Sequence, residues 1–332
     1  AEPEARQRQG GPGTVPADEF DRLAACFDPP PYVTLDGDDV AFKVTVADNR
    51  AFANWVKRNV HPHKIPGYAI VTLSLKRIGV PPGDATSDQM NAIADLADDF
   101  SFSELAVSHE QNLILRNVRQ SDLFALWSRA KPLGLATPNI GLLTDIVCCP
   151  GGDFCSLANA KSIPIADAIT RRFDDLDYLH DIGEIDLNMS GCMNACGQHH
   201  IGHIGILGVD KNGAEWYQVS IGGSQGDSAS LGKVIGPSFA ATEMPGVIER
   251  LIEAYIEHRH DDERFVDTVP RLGVEPLNDR VYAPTPPAPP LTSAFPIRPR
   301  SPFSHVPAAL SPGSRVPASL CRSPRCRAGP RA

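Results

Sequence analysis

The sequence predicts an α+β fold, and three observations carry it. Tyr68–Leu75 is rich in β-branched and aromatic residues and reads as a strand. A helix, two strands (Glu104–Val107 and Asn112–Val118) and a second helix follow, an order that packs helices on one face of a sheet. From about Gly134 a mixed α/β run begins: apolar Leu142–Val147 reads as a strand leading into a cysteine-rich turn. Later strands at Asp186–Met189, Ile204–Leu207 and Trp216–Ile221 precede a closing helix at Val247–His258.

Residues 1–44 are expected as a mobile lead-in, with one weak helix at Ala17–Phe27 and a lone Cys26 given no role. Residues 45–133 form the first predicted domain. A short helical pattern from Asp48 puts Phe52, Trp55 and Val56 on one face, then reaches the loop His61-Pro-His-Lys64. Two histidines without a third ligand nearby read as a solvated loop. Pro81-Pro-Gly-Asp84 is a turn, and Thr86-Ser-Asp-Gln89 is a capping box for a helix to Phe100. Met90, Ile93, Leu96 and Ala97 are the expected buried stripe of that helix. Ser121 is expected to cap the next helix, which carries Leu123, Leu126 and Trp127.

The chain of 332 residues can bury two modest domains. Its net charge of −9 hides an asymmetry: seven arginines and no acid follow Ala283, which leaves residues 1–283 at −16. An acidic body argues against nucleic acid as a partner. No run of 18 apolar residues exists, which gives no membrane span, and no basic-then-apolar leader opens the sequence. Eight cysteines without such a leader favour metal binding over disulfides and a reducing, cytoplasmic location.

The cysteines concentrate the chemistry. Cys149-Pro-Gly-Gly-Asp-Phe-Cys155 and Cys192-Met-Asn-Ala-Cys196 place two thiol pairs at two tight turns, with five and three residues between partners. Four thiolates suit a [4Fe–4S] cluster or zinc, and a five-residue gap fits structural zinc spacing poorly. Pro150-Gly-Gly152 lets backbone fold around sulfur and aim N–H groups at an anion. Cys155 is expected to start a helix running past Lys161 to about Phe173, with its positive end near the metal. Cys148 adjoins Cys149, which leaves the register of the first pair open between the two. His199, His200 and His203 follow the second pair and read as surface or supporting groups rather than ligands.

These motifs carry a resemblance. Cys149–Cys155 followed by Gly191-Cys-Met-Asn-Ala-Cys-Gly197, then Gly205-Ile-Leu-Gly208 and Val219-Ser-Ile-Gly-Gly-Ser224, resembles the signature of the sirohaem-dependent sulfite and nitrite reductases over roughly residues 45–283. The resemblance implies a ferredoxin-like half-domain at 45–133 and a sirohaem and [4Fe–4S] binding domain at 134–283. It implies that Cys149, Cys155, Cys192 and Cys196 hold the cluster, that Cys148 points away as a small buried apolar group, and that Cys196 also bridges to the sirohaem iron. Gln111, Asn112, Asn194, Gly222 and Gly223 become expected cofactor contacts. The implied activity is six-electron reduction of sulfite to sulfide, or nitrite to ammonia, with electrons from a ferredoxin or flavoprotein reductase.

The resemblance covers only the second of the family's two homologous halves, whereas the cations gripping the substrate come largely from the first. Lys64, Lys76, Arg77, Arg116 and Lys161 are scattered candidates for that role. The chain therefore reads as a partial enzyme that needs a first-half polypeptide or self-association. Two alternatives remain: a cluster-bearing electron-transfer subunit without substrate turnover of its own, and a zinc-stabilised or purely structural fragment. After Ala283, thirteen of the 31 prolines fall in 49 residues, a composition expected to be disordered, with Cys321 and Cys326 given no role. That tail reads either as an interaction arm or as an out-of-frame or read-through translation.

Overall fold

Two sheets, each with its own apolar core, lie within one compact unit. The computed structural model describes residues 15–25, 27–35, 37 and 39–283; Cys26, Cys321, Cys326 and the proline-rich tail lie outside the described residues.

Helix α1 (Ala17–Ala25) buries no residue. Tyr32 then anchors the chain. Its ring meets those of His63, Tyr68 and Phe102 at centroid distances of 5.6, 5.0 and 5.7 Å, and its hydroxyl donates to Asn117 Oδ1 at 2.6 Å. The Asp39 and Asn49 side chains accept the N–H groups of Phe42 and Phe52, capping α2 (Val40–Asp48) and α3 (Arg50–Asn59) in succession. Phe42 and Val46 of α2 pack on the first core, so packed structure begins ahead of the boundary expected at residue 44.

The first sheet comprises β1 (Val60–Pro62), β2 (Tyr68–Leu73), β3 (Ala106–Val107) and β4 (Leu113–Arg119), all antiparallel in the order β1-β2-β4-β3. Between β2 and β3 runs α4 (Ser87–Phe100), and α5 (Leu123–Ala130) follows β4. Phe52, Trp55, Ile93, Leu96, Leu123 and Leu126 share one core with Val71, Leu73, Leu113 and Leu115, which puts the helices on one face of the sheet. The capping box forms as read: Gln89 N–H donates to Thr86 Oγ1 at 3.1 Å, and Thr86 N–H to Gln89 Oε1 at 2.9 Å. Met90 is exposed rather than buried. Ser121 caps nothing, because a 3₁₀ turn at Gln120–Asp122 leads into α5 and its hydroxyl bonds Asp122.

The second sheet is mixed. Its elements are β5 (Val147–Cys148), α6 (Ile163–Arg172), α7 (Leu176–Ile182), β6 (Leu187–Ser190), β7 (Ile204–Lys211), β8 (Ala214–Ile221), β9 (Lys233–Val234) and β10 (Phe239–Ala240). The helices α8 (Met244–His258), α9 (Phe265–Leu272) and α10 (Glu275–Tyr282) close the described chain. Strands run β10-β8-β7-β6-β5, with β5, β6 and β7 parallel, the other pairings antiparallel, and β9 also paired to β8. The β7–β8 hairpin closes where Asp210 Oδ1 accepts the Gly213 N–H at 3.2 Å.

Two elements differ from expectation. Leu142–Ile146 is a turn with buried side chains, not a strand. Asp145 fixes it by accepting the Gly141 N–H at 3.0 Å, while its own N–H donates to Leu142 O at 2.8 Å. The helix expected from Cys155 begins instead at Ile163, with Pro164 in its first turn. In a helix begun at Cys155, that proline would fall in the interior and break it.

Candidate metal centre

Strand β5 lies at the sheet edge, and its open side is satisfied by side chains from the first sheet's connections. Gln111 donates from Nε2 to Cys148 O and accepts the Cys148 N–H at Oε1, both at 2.9 Å, as a strand would. Its backbone sits at φ 58°, a conformation uncommon outside glycine. Lys76 is buried and donates from Nζ to Glu110 O at 2.6 Å and Ile146 O at 2.8 Å. Asn112, also buried, accepts the Leu75 N–H at 3.0 Å and donates to Asp145 Oδ1 at 2.9 Å. Burial lowers the pKa of Lys76 and raises that of Asp145; each charge opposes the shift of the other across 3.9 Å.

Beyond this latch stands Cys149. Its N–H donates to Met189 O at 3.1 Å, and its buried sulfur accepts the Gly191 N–H at 3.0 Å. Ser162 Oγ, at the start of α6, lies 3.6 Å from the same sulfur. Gly191 O accepts from Asn159 and Ala160 at 2.9 and 3.1 Å, so backbone bonds close the first cysteine segment onto the second. Glycine is required at this junction. A Cβ on Gly191 would stand 2.7 Å from Ala160 O and 2.8 Å from Gly151 Cα, and Gly151 itself holds φ 56°. Cys192 is buried, Cys155 half-buried and Cys196 exposed, and Ala195 between the latter pair holds φ 56°. Cys148 is separate: burial pushes its thiol up to about 12, keeping it protonated.

Cys148, Cys149, Cys155, Cys192 and Cys196 are all free thiols. Among the described residues no three His, Cys, Asp or Glu side chains converge as a single ion would demand. A four-iron cubane takes one thiolate per iron and is held by four separate sulfurs. The donor set fits such a cluster: four thiols on two hydrogen-bonded segments, one sulfur already accepting a backbone N–H.

The remaining expected contacts are dispersed. Asn194 is exposed, as are Met193, Phe154 and Leu157, at 81%, 80% and 70%. Gly222 donates its N–H to His203 O at 3.1 Å, and Gly223 packs against the backbone of His200–Gly202, so the glycine loop braces the chain just past Cys196. His199 is buried, its ring tilted against that of His200 at a centroid distance of 3.9 Å, and it is pushed down to about 4, first by burial and then by His200. His203 accepts the Asp186 N–H at 3.1 Å.

The five candidate cations do not gather at one site, although Lys64 and Arg116 share a cavity. Lys76 is spent on the latch, Lys64 and Arg116 line a cavity of about 540 Å³ with Tyr32 and Glu104, Arg77 lies against Gly134, and Lys161 lies 3.8 Å from Asp153. A cavity of about 580 Å³ reaches Gln111, Asn112, Cys148, Pro150 and Phe154; another of about 420 Å³, between the sheets, meets Glu110, Asp145 and Asp186. Neither is lined by Lys or Arg. Sequence reading missed Ser162 and the Lys76–Gln111 latch. Ser162-Ile-Pro164 is a helix-start signal that could have located the first; the latch has no local signature.

Comparison with known proteins agrees with this arrangement. A model of the nitrite and sulphite reductase 4Fe-4S domain matches residues 142–286, and one of the nitrite/sulfite reductase ferredoxin-like half domain matches residues 74–133. Ferredoxin–nitrite reductase of Synechococcus elongatus is 29% identical over 207 residues, covering 60% of this chain and 39% of its own. Sulfite reductase [ferredoxin] 2 of Mycolicibacterium paratuberculosis is 26% identical over 229 residues, covering 65% and 41%. The solved NirA protein of Mycobacterium tuberculosis superposes with a TM-score of 0.55 at 25% identity, covering 66% of this chain and 41% of that one. The chain thus spans about two fifths of the length of these relatives.

Proposed function

Since the chain belongs to the nitrite and sulfite reductase family, with its ferredoxin-like half domain and 4Fe–4S domain in order, we propose that it is the cofactor-bearing part of such a reductase. Residues 45–133 are the half-domain, and 134–283 hold a [4Fe–4S] cluster on Cys149, Cys155, Cys192 and Cys196. Cys196 would be the ligand thiolate shared with sirohaem. The observation that carries this reading is the Gly191 N–H donated to Cys149 Sγ, which ties the two cysteine segments at one sulfur. When bound, the cluster and sirohaem supply single electrons to sulfite or nitrite, which are drawn from a ferredoxin or flavoprotein reductase. The chain's own part is to hold the sulfurs. Gln111 and Lys76 fix β5, Gly191 donates to one thiolate, and Gly222–Gly223 brace the loop past Cys196.

The oxyanion and the tetrapyrrole carboxylates both need cations, and the two cavities nearest the latch offer none. We assign those cations to a first-half polypeptide or a second copy of the chain, which makes this chain a partial enzyme. The same absence of lining cations is what favours the second reading, an electron-transfer subunit. Iron, acid-labile sulfide and sirohaem absorption, measured with a first-half reductase polypeptide present, separate the two. Cluster with sirohaem supports the reductase; cluster alone supports electron transfer; neither refutes both. Cys196→Ser is expected to lose sirohaem and cluster, and Cys148→Ser to keep both. A normal haem spectrum in Cys196→Ser would remove the bridge.

A further inference from the structure

Ser162 is fully buried at the start of α6, where a serine ordinarily accepts an N–H of its own helix, yet its side chain makes no capping bond. Its hydroxyl lies instead 3.6 Å from Cys149 Sγ. Gly151 and Gly191 leave room for it: a Cβ on either would stand 2.6 or 3.1 Å from Ser162 Oγ. A buried hydroxyl needs a partner, and here the sulfur is that partner.

We propose that Ser162 sets the reduction potential of the cluster, its hydroxyl donating a hydrogen bond to the Cys149 thiolate and favouring the reduced form. This rests on the reading of Cys149 as a cluster ligand. A ligated sulfur carries no proton, so the hydroxyl is the donor and the thiolate the acceptor. One added electron spreads negative charge onto the thiolates, so a donor stabilises the reduced state more than the oxidised one and raises the potential. The Gly191 N–H at 3.0 Å acts in the same sense but belongs to the backbone; Ser162 is the part of the pair a substitution can remove. The electron comes from an external reductant and the hydroxyl keeps its proton, so the effect is electrostatic and independent of pH.

The test uses the full chain reconstituted with iron and sulfide, titrated with dithionite and followed by electron paramagnetic resonance. Ser162→Ala is expected to keep the iron and sulfide content of the wild type. Its oxidised-to-reduced ratio at fixed potential is expected to rise about tenfold, a fall of about 59 mV for one electron. Ser162→Thr, which retains the hydroxyl, is expected to stay near the wild type. An unchanged potential in loaded Ser162→Ala overturns the proposal. Loss of the cluster from a folded Ser162→Ala overturns it too, by making the hydroxyl a retention device. If Ser162→Ala does not fold, proton double resonance on the reduced wild-type cluster decides: a strongly coupled hydroxyl proton that exchanges in D₂O supports the proposal, and its absence overturns it. A wild-type chain that takes up no iron and sulfide overturns the parent reading instead.

Discussion

Replacing Lys76 by methionine separates two roles for this cation, substrate clamp and structural latch. Its side chain is 1% exposed, and Nζ is closer to two carbonyl oxygens, at 2.6 and 2.8 Å, than to Asp145 Oδ1 at 3.9 Å. The main loss in Lys76→Met is therefore hydrogen bonding rather than ion pairing. Each buried acceptor left unpaired costs about 1–3 kcal/mol. Asp145 keeps two donors, Asn112 and Gly141 N–H, which limits its share. Removing one partner of a buried charge pair typically costs about 3–5 kcal/mol, and a similar total is expected here. Against a domain stability of about 5–15 kcal/mol, that loss is large but measurable by urea unfolding followed by circular dichroism. The cost in Lys76→Met/Asp145→Asn should fall short of the sum of the single costs, because both act through one latch. A loss below about 1 kcal/mol in Lys76→Met, with the fold intact, would refute the latch and return Lys76 to the list of anion-binding candidates.

Two further outcomes test the site. Gly191→Ala forces a Cβ into the Ala160 carbonyl and Gly151, so it should cost about 1–3 kcal/mol and abolish iron uptake. Gly246→Ala, where a Cβ meets only Arg250 Nη1 at 3.5 Å, should load normally; equal loading by the two variants would dissociate the glycine junction from the metal. His199, held near 4 by burial, remains neutral in the folded chain while the unfolded chain takes up a proton below about 6.5. Its contribution is thus complete above pH 6.5 and declines as pH falls toward 4, by at most about 1.4 kcal/mol per unit. His199→Phe should flatten stability across that window, and an unchanged slope in the apo chain would count against the assignment.

Periodic features were the most legible. The Thr86–Gln89 capping box, the Ile93/Leu96/Ala97 stripe and the β7–β8 hairpin each depend on residues within a few positions of one another. What failed depended on contacts that spacing does not encode. Leu142–Ile146 is apolar enough for a strand, but Asp145 is tied to Gly141 and to Asn112, 33 positions away, and the segment turns. Gln111 and Asn112 entered as cofactor contacts implied by the resemblance, a role that the hydrogen bonds neither exclude nor show. The structure occupies both in binding backbone of neighbouring segments, a use that no local pattern announces. The cysteine pairs were visible from sequence. That Gly191 reaches across 42 positions to Cys149 was not.

Local rules are broken where the cysteines are. Gln111 and Ala195 both sit at positive φ, Gly151 and Gly191 meet at distances no side chain could share, and Lys76 and Asp145 bury charges beside the same strand end. Each is unfavourable alone and persists only where the surroundings over-determine it. Such a site suits sulfurs that must stay fixed while charge comes and goes, because ligands that need not move add little reorganisation to electron transfer. The rigidity is one-sided, however. Cys149 and Cys192 are buried, whereas Cys196 is exposed, as are Phe154, Leu157 and Met193 in or beside the two cysteine segments. Exposed apolar side chains favour a covering surface. Cys196, the proposed bridging thiolate, is exposed as well, so a partner surface that covers these residues is expected to carry the cations assigned to it above. One association would then complete both shielding and charge.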